Sequence, residues 1–260
     1  MFPSFFFVAP ILCTVAYSLQ DDSGAFTLGN YQKFLSRTIY SAAILNSLVI
    51  SLTSTAVIVP VGVVIACAVR KNKKIRSITR SITSLPIVFP SFVFAYALIY
   101  IYGTEGSLNI LTRDLFGVSL PTAEIIFDRS GIIFANVLFF LPFFIRPLFA
   151  VFERLDPAIE QAAISLGSHG LHLLRKIVLP SMAPGIMAGG FLTLLLTMNE
   201  FGVILFLGWG KVYTLTLAVY SEIEFVNLNM AATAAALSIV LSLFLATIYR
   251  HLSEHLVMWV

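Results

Sequence analysis

From Ser41 to Val69 the chain carries no charged residue, and the stretches 2–19, 82–102, 130–152, 182–207 and 230–249 each carry at most one. Crossing the hydrocarbon of a bilayer takes about 17–25 helical residues. A helix suits that setting because it pairs its own backbone N–H and C=O groups where no water can. These stretches predict an all-α polytopic membrane protein with about six transmembrane helices, forming one transmembrane domain over residues 1–260. A soluble reading is excluded by the charge content, which is 11% against roughly 25% in soluble domains. Cys13 and Cys67 lie inside apolar stretches, so they read as small buried hydrophobes rather than as a disulfide framework or metal ligands.

The first stretch is preceded by no basic residue and is interrupted by Pro3 and Pro10. That favours a span over a cleavable signal peptide and leaves room for a start further upstream. The third contains Pro86 and Pro90 as LPxxxP; prolines kink a helix and free carbonyls, and the hydroxyls of Ser84 and Ser91 are candidate partners there. The fourth holds Asn136, Pro142, Arg146 and Pro147, with Arg146 close enough to the end to snorkel. The fifth opens at Pro184 and contains Gly185, Gly189 and Gly190, small enough for close helix contact. Segments 20–40, 103–129 and 208–229 read as external, the second with a short interfacial helix from Leu108 to Phe116.

Arg70, Lys71, Lys73, Lys74, Arg76 and Arg80 form the densest positive cluster. Loops rich in Lys and Arg stay on the cytoplasmic side; a nucleic-acid or anionic-lipid patch is the sharper alternative. Placing both termini in the cytoplasm puts Arg146, Arg154, Arg175, Lys176 and Arg250 on that side too, eleven of the sixteen basic residues. Lys33, Arg37, Arg113, Arg129 and Lys211 fall outside, among Asp21, Asp22, Glu105, Asp114, Glu124, Asp128, Glu222 and Glu224.

The polar island of the chain is 155–180, LDPAIEQAAISLGSHGLHLLRKIVLP, within a connecting loop over 153–181. Its pattern predicts two short helices around a turn. Asp156 suits the first cap and Pro157 the first helical position. Gly167 supplies a left-handed stop and Ser168 a cap for the second helix. There Leu171, Leu174 and Val178 recur at helical spacing, and Pro180 ends the helix by biasing Leu179 away from it.

The run QAAISLG, Ile177 ten positions beyond Gly167, and the closing LP resemble the EAA loop of bacterial ABC importer permeases of the binding-protein-dependent type I class. The resemblance implies a cytoplasmic coupling hairpin seated in a groove of an ATP-hydrolysing subunit, carried by Ala162, Ala163, Gly167, Ser168, Ile177, Leu179 and Pro180. The family's acidic position aligns with Gln161, preceded here by Glu160. The implied partners are two ATP-binding subunits, a second permease subunit, identical or paralogous, a periplasmic binding protein and the bilayer, with no nucleic acid. ATP and magnesium would sit on the partner, and this chain would bind no cofactor. FTLGNYQKFL resembles the first periplasmic loop of such permeases. TMNEFGVILFLG with Thr214 and Leu215 resembles the branch carrying small oxyanions, polyamines and phosphonates, most of all permeases for 2-aminoethylphosphonate. Sulfate, molybdate, iron and polyamine remain alternatives.

Glu200, in TMNEFG, falls inside the fifth stretch. A carboxylate near mid-membrane costs roughly 2.5–3.5 kcal/mol on insertion scales, so it faces a cavity or a partner. With Asn199 and Gly202 it is a candidate lining of the translocation pathway, or else a brace between helices. An ion-coupled secondary transporter would use the same carboxylate as its ion site. The sequence lacks GxxxxGK[ST], a nucleophile elbow, HExxH and any Cys/His metal pattern, and its histidines, at 169, 172, 251 and 255, lie in cytoplasmic segments. The chain therefore reads as a transport subunit of the bacterial inner membrane that depends on a separate engine, not as an enzyme.

Overall fold

A computed structural model describes residues 2–21, 23–70, 72–118, 121–154, 157–208 and 210–258. Asp22, Lys71 and the expected cap Asp156 lie outside the described residues. In order the helices are α1 Phe2–Ser18, α2 Gly29–Ser36, α3 Thr38–Val69, α4 Lys73–Ile82, α5 Leu85–Val88, α6 Ser91–Tyr102, α7 Ser107–Phe116, α8 Thr122–Ile126, α9 Arg129–Arg154, α10 Pro157–Ser165 and α11 Gly170–Leu173. After a π turn at Leu174–Val178 come α12 Leu179–Met198, α13 Gly202–Leu207, α14 Leu215–Glu224 and α15 Leu228–Met258. Among the described residues the β structure is a lone bridge between Gln20 and Phe26.

Thr38–Val69, Arg129–Arg154, Gly170–Met198 and Leu228–His251 are long and apolar enough to cross a membrane. The expected third span is a broken one: Lys73–Val88 and Ser91–Phe116 meet at 103° and make a fifth crossing only if taken together. LPxxxP explains the break. Phe89, which precedes Pro90, is driven to extended backbone (φ −101°, ψ 129°), as a residue before proline is, so the prolines sever the helix rather than bend it. α1, the expected first span, is apolar but shorter. α7 falls where the interfacial helix was expected and closes on Gly117 with φ +65°.

The chain divides into two compact units. Unit 1 comprises 1–51, 91–135 and 198–245, and unit 2 comprises 52–90, 136–197 and 246–260. In unit 1 the core gathers Ile50 of α3, Ala95 and Leu98 of α6, Ile132 of α9 and Val203, Ile204 and Leu207 of α13. The loop before α14 is pinned to α3 by side chains. Asn46 donates to the Tyr213 carbonyl at 2.8 Å, the Arg129 guanidinium donates to Asn46 at 2.7 Å, and the Leu215 N–H donates to Ser47 at 2.9 Å. The Tyr40 hydroxyl donates to buried Glu222, fixing α14 in turn.

In unit 2 α12 lies against α9 at a distance only small residues allow. A Cβ on Gly185 would stand 3.2 Å from the Leu148 backbone, and one on Gly189 would stand 2.7 Å from the Phe144 carbonyl oxygen. The expected close-contact role of these glycines in the fifth span is thus met on one face of α12. Arg146 does not merely snorkel: it donates to the Ser84 hydroxyl at 2.8 Å.

Candidate functional site

The polar loop folds as a hairpin. α10 begins at Pro157, whose fixed φ suits a first helical position. It is closed by two bonds, Ser168 N–H to the Ala163 carbonyl at 3.0 Å and Gly167 N–H to the Ile164 carbonyl at 2.9 Å. That pair forms when the residue after the helix is left-handed, and Gly167 has φ +86°. A Cβ there would meet nothing within 4 Å, so the position demands backbone conformation and not space.

Two local expectations are corrected. Ser168 does not cap the second helix; His169 holds the cap position in extended backbone (φ −132°, ψ 160°), and the helix begins at Gly170. The Ser168 N–H is committed to the turn, and its Oγ is buried without a hydrogen-bond partner. Nor does Pro180 end the helix. Leu179 keeps helical dihedrals (φ −62°, ψ −45°), and its N–H donates to the carbonyl of Leu174, five residues back. This wide turn takes up the steric conflict between a proline ring and the carbonyl four residues earlier, so the chain runs on into α12.

Around the turn, Glu160 pairs with the half-buried Arg70 at 2.9 Å, while Gln161 and Ala162 are exposed and Ala163 is buried. Glu160, the acidic residue beside Gln161, is thus paired with an arginine of the same chain. Ile177 and Pro180 are half-buried, and Leu179 lines a cavity shared with Arg70. The tip is apolar: Leu166 is 88% exposed and Leu171 75%, with Ile159 and Ile164 also exposed. Arg70 and Leu166 are the residues that sequence reasoning did not single out. Leu166 was visible as the apolar residue just before the glycine stop, whereas the Arg70–Glu160 pair, ninety positions apart, has no local signal.

The second candidate site is a break in the fifth stretch. α12 ends at Met198 and α13 starts at Gly202, so Glu200 sits in non-helical backbone and not within a continuous span. It is 7% exposed and serves as a cap, its Oε1 accepting the Val203 N–H at 2.8 Å. The Ser91 hydroxyl and the N–H groups of Gly202 and Phe201 also reach its carboxylate, and its carbonyl accepts the Thr216 hydroxyl at 2.8 Å. A hydrogen bond to a charged group contributes about 1.5–3 kcal/mol, so two of these offset the insertion penalty of the carboxylate. Asn199 is exposed and donates to Ser242 at 3.4 Å. Gly202 is buried against the start of α6, where an added Cβ would lie 2.8 Å from the Phe92 nitrogen. The structure thus brings Glu200 and Gly202 together as the joint between α13 and α6, with Asn199 at its open side. Among the described residues no cluster of His, Cys, Asp and Glu is placed to hold a metal.

A family model described as "Binding-protein-dependent transport system inner membrane component" matches residues 58–257. A relative from Salmonella typhimurium named "Putative 2-aminoethylphosphonate transport system permease protein PhnU" is 33% identical over 246 residues, covering 94% of this chain and 86% of the relative. The spermidine/putrescine transport system permease protein PotB of Escherichia coli is 31% identical over 230 residues, covering 86% and 82%. Among solved structures, a bacterial ABC transporter involved in import of the acidic polysaccharide alginate superposes with a TM-score of 0.79 at 15% identity, covering 96% of this chain and 91% of that one. The alginate transporter in complex with its alginate pentasaccharide-bound periplasmic protein gives 0.78, also at 15% identity, covering 98% and 93%.

Proposed function

Because this chain belongs to the family of binding-protein-dependent transport system inner membrane components, and so is the permease component of an ABC importer, we propose that it forms half of the pathway for 2-aminoethylphosphonate delivered by a periplasmic binding protein. In this family ATP hydrolysis is the work of a separate subunit. The reading pairs the chain with two such ATPase subunits and a second permease. It counts α1 and the broken α4–α6 segment among six crossings, and it places both termini in the cytoplasm.

The observation that carries the coupling role is the hairpin itself, a rigidly stopped turn with Leu166 standing uncovered at its tip. Burying a leucine contributes about 1.5–3 kcal/mol, so this tip suits an apolar groove on the ATPase, with Glu160, Gln161, Ala162, Ala163, Gly167, Ser168, Ile177, Leu179 and Pro180 shaping it. The family assignment favours this ATP-driven reading over the ion-coupled one.

The substrate reading is supported by the 33% identity to the relative named for 2-aminoethylphosphonate. A polyamine is the second reading, favoured by the 31% identity to PotB. Calorimetric titration of the cognate binding protein with 2-aminoethylphosphonate, putrescine and sulfate, followed by uptake of the labelled winner into cells lacking this permease, tests it. Tight binding and rescued uptake of the aminophosphonate alone is the expected result; binding of putrescine or sulfate instead overturns it.

For the pathway we assign the Asn199–Gly202 break as its lining, with Glu200 setting its shape. Glu200→Gln keeps one acceptor oxygen but turns charge-assisted bonds into neutral ones, a loss of about 1–2 kcal/mol. The assembled complex should melt earlier, yet the complex that survives should transport at close to the normal rate. Uptake abolished with assembly and melting unchanged would instead put the charge itself on the transport route.

A further inference from the structure

We propose that this permease carries a binding site for one anionic phospholipid, formed by Arg70 and the apolar groove beneath it, with α4 lying beside it as an interfacial anchor. The groove is a cavity of about 680 Å³ whose walls are apolar side chains such as Val63, Val64, Leu171, Leu174 and Leu179, a size within the usual range of ligand cavities. Among the described residues its one charged wall residue is Arg70, whose side chain is only 9% exposed. One guanidinium nitrogen is committed to Glu160, but Nε and Nη1 are buried with no hydrogen-bond partner. Buried donors without acceptors are costly, and guanidinium is suited to a phosphate, which it takes in a fork. A free phosphate would satisfy those donors and leave the apolar walls wet. A phospholipid satisfies both, its phosphate on Nε and Nη1 and an acyl chain along the groove.

The neighbouring helix fits the same partner. On α4, Ile75, Ile78 and Ile82 share one face, and Lys73, Arg76 and Arg80 share the opposite one. No residue of α4 is buried, and the three isoleucines are exposed. Arg80 is paired with Glu153, which leaves Lys73, Lys74 and Arg76 to set the sign of the surface. A short helix with a basic face and an exposed apolar stripe suits the headgroup layer of an anionic membrane. Asn72 fixes where it starts, accepting the N–H groups of Lys74 and Ile75 at 3.0 and 3.1 Å. The site does not depend on which solute is carried.

The test uses the purified full chain, delipidated in detergent and titrated with phosphatidylglycerol or phosphatidylcholine of identical acyl chains, with bound lipid counted by native mass spectrometry. One phosphatidylglycerol per chain should be retained at a concentration at least tenfold lower than phosphatidylcholine. Arg70→Gln/Glu160→Gln, which removes both charges of the pair together, should reduce that preference to about twofold or less. Leu171→Asp, at an exposed position where folding is not at stake, should weaken phosphatidylglycerol retention at least fivefold. Equal retention of the two lipids by the unaltered chain overturns the proposal, as does undiminished retention by Leu171→Asp. A Leu171→Cys chain should be shielded from maleimide by phosphatidylglycerol. Shielding only by the ATPase subunit would make the groove a protein contact and also overturn it.

Discussion

Gly167→Val is expected to insert into the membrane and assemble its helices normally, yet to lose transport and most of its affinity for the ATPase subunit. The backbone there is left-handed, with φ +86°. An ordinary L-residue pays about 1–2 kcal/mol in that region, and a β-branched one more. Relieving the strain means abandoning the bonds from Gly167 to Ile164 and from Ser168 to Ala163, and with them the angle at which Leu166 is presented. A loss of about 2 kcal/mol in presenting the tip weakens association roughly thirtyfold. Since an added Cβ meets nothing, Gly167→Asn, which tolerates the left-handed region, should recover most of the activity. Co-purification of the ATPase and uptake measured in both variants check this; valine transporting at the normal rate would remove the hairpin from the coupling role.

Gly202→Ala should fail differently, at the level of folding. Its Cβ would arrive 2.8 Å from the Phe92 nitrogen and 3.2 Å from its Cα, with the Ser91 hydroxyl also in the way. Backbone does not rotate aside, so α13 must lift from α6, and overpacking of this kind costs about 1–3 kcal/mol. The displacement also pulls the Val203 N–H from Glu200, which takes one donor from the buried carboxylate. Lower yield and an earlier melting transition of the purified chain are expected. Adding Ser91→Ala removes the hydroxyl but not the Phe92 backbone, so the double variant should regain only part of the loss. Unchanged yield and melting for Gly202→Ala would show that the joint is looser than its geometry.

The parts of this molecule that depend on residues close in sequence were legible without it. The Gly167 turn could be placed because a left-handed stop is a local demand, and α7 because Gly117 ends it. The apolar lengths of α3, α9 and α15 were legible for the same reason: burial in lipid acts on a segment as a whole. What averaging over a segment cannot show is where the backbone lets go inside it. The 103° break at Pro90 and the gap at Asn199–Phe201 lie in stretches whose average hydropathy stays high, and freed backbone groups are taken up by side chains from elsewhere, Thr216 on the Glu200 carbonyl among them. Glu200 itself was legible as an anomaly but not as a cap, since its donors come from the chain direction that follows it. Pro180 misled because a proline's effect on a helix depends on the width of the turn before it, and the sequence offers no rule that distinguishes LRKIV as π from the same residues as α.

That π turn also fixes how this loop can change length during descent. A π turn is an α-helix into which one residue has been admitted without breaking the ladder. Since one residue corresponds to about 100° around a helix axis, the side chains of α11 are set about 100° out of phase with where an unbroken helix leading into α12 would point them. Removing one residue between Leu174 and Val178 would let the turn close to an ordinary α-helix with Leu171 near its present bearing, whereas admitting a further residue would swing it by about 100°. The interval between Gly167 and Pro180 should therefore tolerate the loss of one residue better than the gain of one. A single-residue deletion within 174–178 should leave the direction of Leu171 largely unchanged, and a one-residue alignment gap placed there joins segments that face the same way, unlike a gap within α12.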